Sequence, residues 1–295
     1  MFRRIFVPLD GSPFSMTAVP VAIDLARRAG GSVHLAIVTE PPPQAPGEPP
    51  LDPSFLRAMH ADHRRFLDRV LAREGNHGIP VTGEVLEGPA VSTLLAAIRA
   101  HSSGLVVMAS HGRGGFSRFW LGSTALGLVR GSPAPILLLR LAEGAAAPFR
   151  PRRVLLPLDG TGFGDEVIWQ ALALAGTEEV EYLLVRVIAA VPAVLSAALP
   201  LHDEARHARR EHEAADYLAG VRASLESRGA TVRTEILDGE APGPRLVEFI
   251  ESEQPDLVAM ATHGRSAVGR LLLGSVADKV VRGTGVPVLL QGPAG

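Results

Sequence analysis

Short apolar runs alternate with longer amphipathic stretches along this chain, and the whole series occurs twice. The first pass opens with RRIFVPLDGS at Arg3 and the second with RRVLLPLDGT at Arg152, an offset of 149 at which eight of ten positions are identical or closely similar. Each opening leads into a segment of helical periodicity (residues 15–28 and 164–175) and then a β-branched, apolar run (SVHLAIV from Ser32, VEYLLVRV from Val180). A longer helical stretch, polar on one side, comes next (54–73 and 203–227). It is followed by a strand (VTGEVLEG, TVRTEILDG), a helix (90–100 and 243–251) and a buried-strand run (GLVVMAS, DLVAMAT). A loop, a helix opening at Gly-Ser and a terminal strand (APILLLR, VPVLLQ) close each pass. Two parallel series of this kind are internal repeats.

Strands separated by helices read as βα units, which build a parallel sheet covered on both faces. The expected fold class is therefore α/β, as two tandem doubly wound domains of five parallel strands each. A chain of 295 residues has length for two such cores. The boundary falls in LAEGAAAPFRP, where small residues and proline interrupt the pattern, giving domains at 1–145 and 151–295. The passes differ most after the second strand. The first has EPPPQAPGEPPLDPS, read as a stiff surface connection, and the second has the apolar AAVPAVLSAALP.

Composition removes several classes of function. A formal charge of -2 supplies no broad basic field, so nucleic acid is not an expected partner. The absence of cysteine excludes disulfides, thiolate catalysis and cysteine zinc sites. The longest apolar stretch, residues 187–201, contains two prolines and is too short to span a bilayer, so no membrane association is expected and the location is read as cytoplasmic. Lys279 is the only lysine and lies in neither motif loop, which rules out a Walker phosphate loop. The GTGFG at Gly160 imitates the start of a dinucleotide fingerprint, but Asp165 stands where its last glycine belongs.

Candidate chemistry concentrates at strand ends. Asp10 and Asp159 close the first strand of each half, and Met108-Ala109 and Met260-Ala261 lead out of the fourth. With strand order 3-2-1-4-5 these strands are neighbours where chain order reverses, and ligands of open α/β sheets bind there. Gly112 and Gly122 are separated by nine residues, as are Gly264 and Gly274, and each second glycine precedes a helix with Ser123 or Ser275 as a plausible N-cap. A helix start offers unpaired N–H groups and a positive dipole end, both suited to phosphate, and Arg113 and Arg265 add charge. His111 and His263 read as loop histidines beside a ligand rather than bases of a Ser/Thr nucleophile, since adjacent extended residues point apart. The pairs His60 with His63 and His207 with His212 read as surface histidines, and Phe119 and Trp120 as packing.

Taken together, these motifs resemble the universal stress protein family, as a tandem member, over nearly all of both halves. The family's nucleotide-binding pattern is glycine, two residues, glycine, nine residues, glycine, then Ser or Thr. Both halves match it from the second glycine on and carry alanine, Ala109 and Ala261, at the first. The resemblance implies a Rossmann-like fold of the adenine nucleotide α-hydrolase type and ATP as ligand, with Mg2+ as its companion. It places Pro8, Asp10, Pro157 and Asp159 against the adenosine, and Val38 and Val187 behind the adenine. Ribose and phosphates fall to Gly112, Gly122, Ser123 and Thr124, and to Gly264, Gly274, Ser275 and Val276. It also implies terminal strands that pair between domains, and association of two tandem chains as a homodimer. No positioned general base is legible, so the functional expectation is a stress-associated regulatory nucleotide binder. A nucleotide-independent scaffold and a slow ATPase are the alternatives.

Overall fold

A computed structural model of the chain describes residues 2–42, 52–75, 77–109, 121–140, 148–189, 200–262 and 273–292. The described residues divide between Phe149 and Arg150 into two compact units.

In the first unit β1 (Arg4–Leu9) leads through a 3-10 turn (Ser15–Thr17) into α1 (Ala18–Arg28), followed by β2 (Ser32–Thr39) and α2 (Pro53–Glu74). Then come β3 (Val81–Glu87), α3 (Ala90–Ala100), β4 (Leu105–Ala109), α4 (Ser123–Gly131) and β5 (Ile136–Leu139). The strands pair in parallel in the order β3-β2-β1-β4-β5. The second unit repeats the series: β6 (Arg153–Pro157), α5 (Gly162–Ala175), β7 (Glu181–Ala189), α6 (Pro200–Glu226) and β8 (Thr231–Gly239). It continues with α7 (Pro242–Glu253), β9 (Leu257–Ala261), α8 (Ser275–Gly283) and β10 (Val288–Gln291). Its parallel order, β8-β7-β6-β9-β10, is the same arrangement. The fold class expected from the apolar and polar pattern is therefore the one observed.

Central strands carry apolar residues in consecutive positions because both faces are covered. Ile5, Phe6, Val7, Leu105, Val106 and Val107 are all almost completely buried, as are Val154, Leu155 and Leu156 of β6. Each fully buried aliphatic or Phe side chain contributes about 1.5–3 kcal/mol relative to exposure. The helices supply the covering faces. α1 buries Val19, Val21, Ala22 and Leu25, and its one buried acid, Asp24, pairs with Arg27 at 3.1 Å and Arg28 at 3.4 Å on the same helix. α2 starts where its sequence dictates: the Asp52 carboxylate accepts the Ser54 amide at 2.8 Å, and Pro53 occupies the first helical position, where no N–H is needed. The expected helix over 15–28 is shortened at its start, where Ser15–Thr17 form a tighter turn with Thr17 Oγ1 donating to the Phe14 carbonyl at 2.7 Å. No helix among the described residues is long and apolar enough to cross a membrane.

Candidate nucleotide site

β1 is flanked by β2 on one side and β4 on the other, with Ile5 opposite Leu105 and Phe6 opposite Val106, so chain order reverses between β1 and β4. β6 and β9 stand in the same relation, with Val154 opposite Leu257. The crevice at the carboxyl end of this reversal is where open α/β sheets hold ligands.

Asp10 lies one residue past β1, in a turn that requires Gly11 at φ +80°. Its Oδ1 accepts the Ser12 amide at 2.9 Å, while Ser15 Oγ accepts the Asp10 amide at 3.4 Å. Burial works to raise the Asp10 pKa, but hydrogen bonds from Ser12 and Ser15 outweigh it and hold the carboxyl below its ordinary value. Asp10 is thus a fixed carboxylate at neutral pH. Asp159 occupies the matching turn, with Gly160 at φ +78°. Its Oδ1 accepts both the amide and the hydroxyl of Thr161, at 3.0 and 2.6 Å. Its Oδ2 is buried and has no hydrogen-bond partner among the described residues. A ribose hydroxyl is a suitable donor.

Pro8 is buried inside β1, whereas Pro157, Val38 and Val187 are half-buried near the carboxyl ends of their strands. Met108 and Met260 are buried side chains of β4 and β9, so what they offer the crevice is backbone. Ala109 and Ala261, where the family pattern has glycine, are the last paired residues of those strands, opposite Leu139 and Gln291. Paired strand backbone is extended, and neither alanine is among the residues at positive φ, so the position does not need glycine for conformation.

The helix starts correct one expectation. Gly122 and Gly274, not Ser123 and Ser275, are the N-caps, and each serine is the first helical residue. Both glycines have φ near -56° (-55° and -57°), which any residue adopts, so what glycine supplies here is space. A Cβ built on Gly122 meets no atom of the described residues within 4 Å. The amides of Ser123 and Thr124, and of Ser275 and Val276, stand in the first helical turns, where carbonyl partners within the helix are missing. The Gly274 amide donates to the Thr262 carbonyl at 2.8 Å and ties the start of α8 to the end of β9. His111, Gly112, Arg113, His263, Gly264 and Arg265 lie outside the described residues, as do Phe119 and Trp120. His60, His63, His207 and His212 are not gathered into one metal-binding group. His63 hydrogen-bonds Thr39 at 2.8 Å, His60 lies 3.0 Å from Glu87, His207 3.3 Å from Asp238, and His212 3.4 Å from Asp216.

The second crevice contains a cluster that the motifs do not announce. Arg186 of β7 lies against the Asp159 turn so closely that a Cβ on Gly160 would fall 2.6 Å from its Nη1. The guanidinium carbon is 5.5 Å from the centre of the Tyr217 ring, and the Tyr217 hydroxyl donates to Asp165 Oδ1 at 2.5 Å. Burial, reinforced by Asp165 and Asp159, pushes the Tyr217 pKa up, so the phenol stays protonated and donating. The matching position in the first unit is Ile37, whose Cδ1 lies 3.9 Å from a Cβ placed on Gly11. The available signal was a single arginine interrupting the apolar run LLVRV.

A sequence model of the universal stress protein family matches residues 1–140 and again 151–291. The chain belongs to the universal stress protein family. A universal stress protein of Methanocaldococcus jannaschii is 30% identical over 141 residues, covering 47% of this chain and 81% of that protein. A universal stress protein of Mycobacterium tuberculosis is 25% identical over 291 residues, covering 97% of this chain and 95% of the relative, so the tandem arrangement has a full-length counterpart. Among solved structures, a universal stress protein of Archaeoglobus fulgidus superposes on 100% of both chains with a TM-score of 0.76 at 18% identity. That likeness shows the same tandem fold.

Proposed function

We propose that the chain is a stress-associated regulatory protein that binds an adenine nucleotide, ATP with Mg2+, at one site in each unit. The observation that carries this reading is that the crevice at each sheet reversal has an ordered aspartate turn on one side and a glycine-capped helix start on the other. The aspartate receives the ribose: Asp10 is a fixed carboxylate, and Asp159 has a buried acceptor atom that a sugar hydroxyl satisfies. Val38 and Val187 stand behind the base. The phosphates lie at the first turns of α4 and α8, where Gly122 and Gly274 keep side-chain atoms out of the way. Family membership supports the stress-related role, and occupancy is read out through conformation or through association of tandem chains into a homodimer.

The crevices are unequal under this reading. Ile37 leaves an apolar wall in the first, whereas in the second the Arg186 guanidinium occupies the nucleoside side and must be displaced. The first unit is therefore the tighter site. Isothermal titration with ATP and Mg2+ tests the proposal: two unequal sites support it, and no heat or saturation at millimolar nucleotide overturns it.

A further inference from the structure

The opposite end of the sheet in the first unit from the Asp10 turn holds a second constellation. His34 is the third residue of β2, and His101 immediately follows α3. Their imidazole rings stack with centroids 3.8 Å apart and planes 25° from parallel. Both Nε2 atoms converge on one carboxylate oxygen, Glu84 Oε1, at 3.1 and 3.0 Å. His34 Nδ1 is 2.9 Å from Thr82 Oγ1. The three ligand-type atoms all lie within 4.8 Å of one another, in the one group of this kind among the described residues.

We propose that His34, Glu84 and His101 form a binding site for a divalent transition metal ion, with Zn2+ the ion of best fit. Zinc bonds of about 2.0–2.2 Å to imidazole nitrogen and carboxylate oxygen, at tetrahedral angles, put neighbouring ligand atoms about 3.3–3.4 Å apart. The two nitrogen-to-oxygen separations are a few tenths of an ångström short of that, and the rings must also turn out of their stack so that both in-plane lone pairs meet one ion. Each imidazole then ligates as the neutral ring with its proton on Nδ1. For His34, Thr82 Oγ1 is in place to accept that proton and fix the ring, which is how ligating histidines are commonly oriented. A water molecule completes the coordination, as expected for a half-exposed three-ligand site.

The second unit shows that the fold does not require these histidines. Strand register and the matching amide contacts that open β4 and β9 align His34, Thr82, Glu84 and His101 with Leu183, Arg233, Glu235 and Glu253. There the carboxylates meet a cation from the protein itself: Arg233 lies 2.6 Å from Glu253 and 3.5 Å from Glu235. In the first unit Thr82 stands where Arg233 does, and the carboxylate of Glu84 instead meets two imidazoles, which are neutral ligands. A bound metal ion supplies the positive charge that Arg233 supplies in the second unit.

Titration of the chelator-treated full chain with Zn2+ alone, followed calorimetrically and against a chromophoric chelator, is the test. One ion per chain is expected, with affinity falling about a hundredfold or more in His101→Ala and in Glu84→Gln. Co2+ in place of Zn2+ is expected to give the intense visible bands of a four-coordinate site, lost in both variants. His101 is more than a third exposed at a helix end, so its replacement tests the ligand without emptying the core. ATP titration of His101→Ala is expected to match that of the parent, which separates this site from the nucleotide crevice. Sub-stoichiometric Zn2+, affinity unchanged in both variants, or octahedral Co2+ spectra would overturn the proposal.

Discussion

The two units have the same strand order, the same glycine turns after β1 and β6 and the same glycine-capped helix starts, yet they treat equivalent polar positions in opposite ways. At the carboxyl end of the sheet the first unit places Ile37 beside the aspartate turn, and the second places Arg186 with Tyr217 and Asp165. At the amino end the first unit gathers His34, Glu84 and His101, and the second closes the same place with Arg233 and two glutamates. The backbone framework is common property of the repeat, and the chemistry belongs to individual side chains. Duplication lets one crevice remain apolar while the other acquires an internal cation.

The largest expected effect comes from removing the aspartates one at a time. Asp10→Ala should abolish the tighter of two calorimetric ATP transitions and Asp159→Ala the weaker, each losing on the order of a hundredfold in affinity, as for a charge-assisted hydrogen bond of up to about 3 kcal/mol. If either substitution weakened both transitions equally, the units would not be separate sites. Exchanging the residues that distinguish the crevices should move the sites toward each other. Arg186→Ile should tighten the second by about tenfold, and Ile37→Arg should weaken the first by a similar factor, roughly 1.4 kcal/mol each. No change in either variant would remove Arg186 as the source of the inequality.

A smaller effect is expected at the helix start. Gly122→Ala should weaken ATP about fivefold while leaving the melting temperature nearly unchanged, because the added methyl meets no atom of the described residues and crowds a phosphate. A matched loss of stability would mean that the glycine serves the helix instead. The smallest effect concerns acid. The Asp10 pKa lies below its ordinary 3.8, so the stability it contributes is complete above that value and is lost as pH falls through the folded-state pKa. Asp10→Asn should flatten the acid limb of a stability profile below about pH 4 and leave neutral stability within about 1 kcal/mol, as checked by urea melts across pH.

The fold was legible because strands buried on both faces must be written as unbroken apolar runs, and IFVPL, LVVMA and VLLP admit few other readings. The crevice was legible as well. A strand that ends in Leu-Asp-Gly and a helix that opens after glycine are local signals, and parallel topology then brings them to one place. The N-cap was misassigned because serine is the usual capping residue, and only the backbone angles at Gly122 and Gly274 show the helix starting one residue later. Arg186 with Tyr217, and His34 with His101, could not be paired from sequence. Their partners lie 31 and 67 positions away on other elements, and the only local sign is a polar letter interrupting an apolar strand.

Calorimetric titration of the full chain with ATP and Mg2+, run beside the double variant Asp10→Ala/Asp159→Ala, addresses the central claim most directly. The parent protein should show two unequal binding events and the double variant none. A parent that takes up no nucleotide at millimolar concentration, or a double variant that binds as the parent does, would contradict the assignment of the crevices.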